Sequence, residues 1–478
     1  MPAALGIDIG ATHTKVVAIA PDGSRSVTSR ATPRDAMQLL ATVILGIREQ
    51  TERLGQAPAA VGIASMAGGG VPLDADDVPL TRIQSWQDRR GTAAAAQRLA
   101  AEFGPEAIFA ATGVRVGPQP TLAMLLSLRS DTPELWRRMS RWAGVADLVH
   151  LTLTGHLRTD HTLAGRSMAY RLPAAGEALA PEFDAKLLAA VGLGPGALPA
   201  VGLPGQPPDR VSAAVAAATG LAKGTAVVVA GHDHQVAAWA AGVRVPGQVA
   251  DCVATTEAVV SLVPAAPDRA AIARHGMSLT RAVNGATEAI LASSASAGSF
   301  LVWVAEREGC SVADLVNLDT VPEHLAGPGL WLPYPQGRQS PEPDPRAGAR
   351  LVGDPGDAPP GLLAVEALSY QAQWMIDVQR DLAGGPAGGV TVIGQPVAVH
   401  PQWRQAKAAL AQGSYLLDAD EPVATGAALL ALARSGAGDP GAVLSSVPLH
   451  CAADLAARYR ARLPEFIAAA TRPARLWG

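Results

Sequence analysis

Cysteine is scarce, with three in 478 residues. Cys252, Cys310 and Cys451 are far apart and odd in number, which excludes a disulfide framework and any zinc-type ligand spacing and leaves reduced, mostly structural thiols. Blocks rich in lysine or arginine are missing as well, and the net charge is −4. The clustered cations needed to recognise a nucleic-acid backbone are therefore absent, and nucleic acid is not an expected partner. Long apolar runs are lacking too. Every apolar stretch is cut by Gly, Pro or charge, and the first residues show no basic segment followed by an apolar core and a cleavage site. The chain reads as cytoplasmic, with no membrane association. What remains is a composition 49% hydrophobic and 17% charged, that of a globular protein with two or three domains and large cores. Small ligands are the expected partners, and the sequence leaves a homodimer open.

The pattern of apolar residues is that of an α/β protein. Strands are expected at about 4–10 and 14–20, with a turn at Pro21-Asp22-Gly23-Ser24 and a helix over 35–54. VGIAS at 61–65 is another strand, running into Gly68-Gly69-Gly70. Helical patterns dominate 91–155, and 192–210 is a Pro/Gly-rich surface loop. TAVVVAGHD at 225–233 is a buried strand ending in a polar cluster, followed by a short helix at 237–243. Residues 248–263 read as strand, small-residue turn, strand, repeating the logic of the first segment. Residues 333–353 are expected to be a surface loop, 362–382 a long amphipathic helix, 389–394 a strand closed by glycine, and 422–434 a helix with a small-residue face. Two α/β domains of about 240 residues each fit usual domain sizes.

Four turns carry residues suited to chemistry. In GIDIGATHTK at 6–15, Asp8 is followed by Gly10, Ala11, Thr12 and Lys15. A carboxylate repels a bare pyrophosphate but anchors one through Mg²⁺, while Gly10, Ala11 and Thr12 let backbone N–H groups approach phosphate oxygens. The alternative is a plain hairpin turned by Gly10. In AGHDHQ, Asp233 stands at the end of a buried strand, where open α/β sheets place ligands. A carboxylate there takes the proton of a sugar hydroxyl as it attacks a phosphate; the other reading is a helix cap. His232 and His234 form an i, i+2 pair, but no further ligand with suitable spacing follows to make a metal site. Ala254, Thr255 and Thr256 form a small-residue turn that suits a second phosphate, or simply turns a hairpin. In SWQDRR, Trp86 offers an apolar plate for a sugar face and Asp88 and Arg89 offer an acceptor and a donor, unless this is a charged turn with one packed Trp.

In this order and spacing, together with LTGHLRTDHTLAG at 153–165, LPYPQGR at 332–338, GVTVIGQ at 389–395 and ATGAALLA at 424–431, these turns resemble the FGGY carbohydrate kinases of the actin-like sugar kinase and Hsp70 ATPase superfamily. The resemblance implies two ribonuclease H-like domains flanking a catalytic cleft, residues 1–243 binding the sugar and 244–478 binding ATP. It implies that Asp8 holds Mg²⁺ and that Gly10, Ala11, Thr12 and Lys15 face the transferred phosphate. Asp233 becomes the general base. Ala254, Thr255 and Thr256 hold a second phosphate, Gly394 and Gln395 line the adenosine site, and Trp86, Asp88, Arg89 and His234 meet the substrate.

Four positions depart from that pattern. Ala11 replaces a common Thr, Ala254 the glycine of a Gly-Thr-Ser turn, and Gln395 the second glycine of the adenosine motif. The last two would crowd a nucleotide if those positions needed positive φ. The fourth is Met66-Ala67-Gly68-Gly69-Gly70, which stands where xylulose kinases carry Gln-Met-His and glycerol kinases Arg-Glu. The expected substrate is a ketose, deoxy sugar or polyol other than glycerol. A non-catalytic sugar or nucleotide sensor derived from a kinase is the competing class. A Rossmann dehydrogenase fails on the missing G-x-G-x-x-G spacing, and a repressor relative is not expected, because the chain opens directly on the phosphate strand with no room for a helix-turn-helix.

Overall fold

The computed structural model describes residues 1–85, 91–264, 268–317, 329–385 and 387–472. They form two compact units. The first comprises Met1–Ala240, Leu279–Glu288 and Glu421–Val443; the second comprises Ala241–Ser278, Ala289–Asp420 and Leu444–Gly478. The sequence suggests one boundary between 243 and 244, whereas the packing returns two later segments to the first unit.

The first unit is built on a sheet ordered Arg25–Ala31, His13–Ile19, Ala4–Ile9, Ala60–Ser65, Ala226–His232, Asp209–Arg210. The first three strands form an antiparallel meander, and Ala60–Ser65 and Ala226–His232 continue it in parallel. The parallel strands are covered on both faces, so they read as unbroken apolar runs: Leu5, Ile7, Val61, Ile63 and Val227 are all buried. Helix Ala36–Leu54 is fixed at its start by Asp35, whose carboxylate accepts the Gln38 N–H, and at its end by Gly55 at φ 64°. It lays Leu39, Val43 and Ile47 against this sheet.

The opposite face is closed by helix Pro422–Arg434, drawn from far along the chain. Its small-residue stripe, Ala424, Ala427 and Ala428, lets the helix backbone touch the sheet. Gly6 and Gly62 are partners across the two central strands. A Cβ on Gly6 would lie 1.8 Å from the Ala424 carbonyl oxygen, and one on Gly62 would lie 1.9 Å from that of Ala427. Neither strand accepts a side chain there without moving the helix. Gly62→Ala is expected to lower unfolding stability by about 1–3 kcal/mol, measured by urea denaturation; unchanged stability would show that the helix can ride up freely.

In the second unit, Val249–Val253 and Glu257–Val263 form the antiparallel hairpin, and Val390–Ile393 and Ser414–Leu417 extend it in parallel. Hairpin first, parallel strands after, is the order of the first unit repeated, and both follow the ribonuclease H-like plan. Helix Pro360–Ala383 is buried along most of its length. On one face of the hairpin a charged trio is sealed from water. Lys407 Nζ lies 2.6 Å from Asp251 Oδ2 and 2.5 Å from Glu257 Oε1, and none of the three side chains is more than 5% exposed. Burial pushes the Glu257 carboxyl up to about 8, with Lys407 pulling it down and Asp251 pushing it further up. Burial pulls the Lys407 ammonium down, but the two carboxylates outweigh it and hold its pKa above the usual lysine value.

Several local expectations need correction. Arg25–Ala31 is a third strand that the sequence does not announce; only Thr28 is buried in it, so its polar residues carry almost no pattern. The 192–210 loop contains the short strands Ala200–Gly202 and Asp209–Arg210, each recruited by a neighbour rather than by its own composition. The 333–353 segment is not all surface. Arg338 is buried, because its guanidinium donates to the carbonyl oxygens of Glu342 at 2.8 Å and Ala470 at 2.6 Å. The helix expected at 237–243 begins instead at Asp233 and ends at Ala240. Among the described residues, no helix is long and apolar enough to cross a membrane.

Candidate active site

Two of the predicted chemical groups meet at one edge of the first sheet. Strands Ala4–Ile9, Ala60–Ser65 and Ala226–His232 run parallel in register, with Asp8 beside Ala64 and Ala64 beside Gly231. Asp233 follows directly after the third strand. The two carboxylates therefore leave the same sheet end about 10 Å apart, two strand spacings, at the C-terminal edge that open α/β sheets use for ligands.

Asp8 is held in an electrostatically awkward place. Its Oδ1 is sealed from solvent and makes no hydrogen bond. Burial, followed by the negative charge of Asp233, pushes the carboxyl up to about 8; Lys15 pulls it down and Glu421 adds to the rise. Lys15 itself is ion-paired with Glu421 at 2.5 Å, and Glu421 sits at φ 50° ahead of helix Pro422–Arg434. The turn between the strands is tied by Gly10, whose N–H donates to the His13 carbonyl and whose own carbonyl accepts from Thr32 Oγ1 at 2.8 Å. Ala11 and Thr12 form its exposed tip.

Asp233 is the first residue of its helix, where the helix dipole favours an anion. Its Oδ1 accepts the His234 N–H at 2.7 Å, and its side chain remains 19% exposed and reachable. His232 Nε2 lies 3.3 Å from the same oxygen. Burial lowers the His232 pKa to about 3, against the pull of Asp233, so this imidazole is neutral. The His232 and His234 rings meet edge to face at 5.4 Å rather than converging on a common point. Among the described residues no group of three His, Cys, Asp or Glu side chains is arranged to hold a metal.

The sequence reading missed the brace that fixes this strand end. Asp160 Oδ1 accepts from the N–H and Oγ1 of Thr162, and Thr162 Oγ1 in turn accepts the His232 N–H at 2.8 Å. Burial alone would raise the Asp160 pKa, but His161 and Arg434 hold it below the usual carboxylate range. Arg434 Nη1 reaches Asp160 Oδ2 at 2.9 Å and the Val229 carbonyl at 3.0 Å. The available signal was TDHT, an Asp two residues ahead of a Thr, which is ordinary capping chemistry when seen alone.

Beside this brace lies a concavity with about 430 Å³ of empty space. As the sequence suggests, its floor at Met66, Ala67, Gly68 and Gly69 offers no polar side chain. The polar groups come from elsewhere: Thr121, Asp147, Thr159 and Ser167. Burial pushes the Asp147 carboxyl up to about 7, opposed by Thr159 and the Gly144 N–H. Trp86, Asp88 and Arg89 lie outside the described residues.

The second unit brings its own predicted residues together. The carbonyls of Ala254 and Thr255 accept the N–H groups of Gly298 and Ser299, each at 3.0 Å, so the small-residue turn is seated on the start of helix Gly298–Glu308. Strand Val390–Ile393 pairs with Val249–Val253 and delivers Gly394 behind that turn. Gly394 has φ 148°, and a Cβ there would lie 2.0 Å from the Val253 carbonyl oxygen. Ala11, Ala254 and Gln395 are not among the non-glycine residues with positive φ. The crowding feared for Ala254 and Gln395 therefore has no backbone cause.

Residues 3–240 match the FGGY family of carbohydrate kinases, N-terminal domain. The chain belongs to the FGGY family. Among its curated relatives, the L-fuculokinase of Haemophilus influenzae is 26% identical over 182 residues, which is 38% of this chain and 37% of that protein. The L-fuculokinase of Salmonella typhi is 25% identical over 256 residues, half of this chain and 52% of the relative. The chain thus spans about a quarter to a half of the length of the curated relatives it matches. Solved FGGY structures align over nearly everything: the xylulose kinase from Rhodospirillum rubrum has a TM-score of 0.84 at 23% identity, covering 98% of both chains. The gluconate kinase from Lactobacillus acidophilus has a TM-score of 0.86 at 18% identity, covering 98% of this chain and 97% of that one. These likenesses establish the shared FGGY fold.

Proposed function

We propose that this FGGY protein transfers the terminal phosphoryl group of ATP to a hydroxyl of a sugar or polyol. The observation that carries the reading is the pair of carboxylates, Asp8 and Asp233, leaving the same end of two parallel strands that flank Ala60–Ser65. Similarity to proteins named L-fuculokinase, rhamnulokinase and gluconokinase supports a sugar-like acceptor, within the class of ketoses, deoxy sugars and alditols.

The division of labour follows from the environments. Asp233 is partly exposed and held in place by the His234 N–H, so it can receive the hydroxyl proton while the acceptor oxygen bonds to the terminal phosphorus and the bridging bond to ADP breaks. His232, neutral and buried, supports the orientation of Asp233 without competing for that proton. Asp8 has a sealed, unpartnered oxygen in a surplus of negative charge, which suits a divalent cation that keeps most of its waters and phosphate ligands. Mg²⁺ bound there would neutralise charge on the phosphates. Gly10, Ala11 and Thr12 would meet the phosphate in transit, while Ala254, Thr255, Thr256, Gly394 and Gln395 would serve the nucleotide. Lys15, paired with Glu421, would act on the phosphate from within that ion pair.

A coupled ADP-release assay across ketoses, deoxy sugars, alditols and glycerol tests this. Release dependent on one acceptor class, with glycerol inactive, is expected. Binding of a sugar without ADP release would overturn the kinase reading in favour of a sensor.

A further inference from the structure

Among the described residues, one charged group near Asp233, that of Arg166, keeps a buried nitrogen without a partner. Arg166 lies in the turn that follows the Asp160–Thr162 brace, and its backbone N–H donates to Leu163 O at 3.0 Å. Its Nη1 is sealed from solvent and donates to no acceptor, and among the described residues its guanidinium has no hydrogen bond or ion pair. Burial lowers its pKa and the Asp233 carboxylate opposes that, so the two groups are close enough for their charges to act on each other; Arg166 also lowers the pKa of His232. A guanidinium stays protonated at any ordinary pH and loses several kcal/mol when buried without an acceptor. Proteins seldom keep such a group idle.

Its placement is enforced. Thr162 Oγ1 ties the turn to the His232 N–H, and His161 Nε2 bonds to the Ala282 carbonyl at 2.9 Å. Two residues beyond Arg166, Met168 is fully buried at φ 61°, an unfavourable conformation for a side-chain-bearing residue. Ser167, in between, lines the concavity that also holds Asp147 and Thr159. Leu163, Ala164 and Ser167 of this turn line that concavity, whose floor at Met66–Gly69 supplies no polar side chain, and the strained backbone at Met168 holds the turn there.

We propose that Arg166 is an anion-binding residue whose guanidinium receives an oxyanion beside Asp233, either the carboxylate of an acidic acceptor or the phosphoryl group in transit. The first source makes the substrate a sugar acid; the second makes Arg166 a clamp for any acceptor. The assignment of Asp233 as base rests on the kinase reading, whereas the anion site does not require turnover.

The test measures binding and turnover separately in the wild type, Arg166→Met and Arg166→Lys. Titration calorimetry compares C5 and C6 aldonates, alditols of matching configuration and inorganic phosphate, all without nucleotide. Loss of a charged hydrogen bond is expected to weaken anion binding about 10- to 100-fold in Arg166→Met, with Arg166→Lys retaining part of it and alditol binding unchanged. A loss confined to aldonates identifies the carboxylate. A loss confined to phosphate, with kcat on neutral acceptors falling while KM stays, identifies the phosphoryl group. Anion affinities within twofold of wild type in a folded Arg166→Met protein overturn the proposal. Should Arg166→Met not fold, Arg166→Gln, which keeps hydrogen bonding without the charge, gives the same readings. Absence of ADP release with every acceptor would sink the kinase reading while leaving the anion affinities to decide this one.

Discussion

Asp233→Asn is expected to reduce sugar-dependent ADP release by about 10²- to 10⁴-fold, the usual contribution of a positioned general base. The substitution is isosteric, and an amide oxygen still accepts the His234 N–H that now bonds Oδ1 at 2.7 Å. Thermal stability and nucleotide affinity should therefore stay close to wild type, and the loss should fall on kcat rather than on KM for ATP. The removed property is only the capacity to take a proton. Steady-state kinetics with the best acceptor, alongside calorimetric nucleotide binding, distinguishes this from a misfolded variant. Turnover near the wild-type rate would remove Asp233 from the mechanism.

Lys407→Met is expected to destabilise the second unit by about 3–5 kcal/mol, because it leaves two carboxylates buried with no counter-charge. Asp251 and Glu257 are at most 1% exposed, so water does not replace the lost ammonium. The effect has a definite pH sign. In the wild type, the Glu257 carboxyl already titrates at about 8, above its unfolded value of 4.5. A carboxyl raised in this way holds a proton in the folded state that the unfolded chain releases, so stability falls as pH rises from the unfolded to the folded pKa. Without Lys407 the Glu257 carboxyl is pushed higher still, so that fall continues to higher pH, and the variant should be closest to wild type near pH 5 and furthest from it near pH 8. Urea denaturation at the two pH values measures this; equal losses at both would mean that the trio is not sealed.

Much of the first sheet was legible because its parallel strands are covered on both faces and so leave unbroken apolar runs such as VVV at 227–229. The strand-end carboxylates were legible because an aspartate closing a buried apolar run stands out against it. Arg25–Ala31 was not, since an edge strand with one buried residue has no face to write a pattern on. The Asp160–Thr162–His232 brace was also invisible, because it joins residues 70 positions apart in sequence. Arg166 escaped for a different reason: what marks it is a missing partner, and a sequence records residues rather than the bonds they fail to make. Ala254 and Gln395 have ordinary backbone angles at positions where the resemblance implies glycine.

Helix Pro422–Arg434 has a consequence for how the chain comes to be folded. The sheet built from residues 4 to 232 keeps one face apolar until a helix more than 400 positions after its first strand has left the ribosome. During synthesis, that face waits uncovered while the second unit is made as far as Asp420. Contacts of such sequence separation are slow to form and prone to association with other chains. A fragment cut at residue 243 would carry the sheet and both strand-end carboxylates, yet lack the one element whose backbone fills the groove over Gly6 and Gly62. Such a fragment should behave as a holdase client rather than as a domain, however complete its list of site residues.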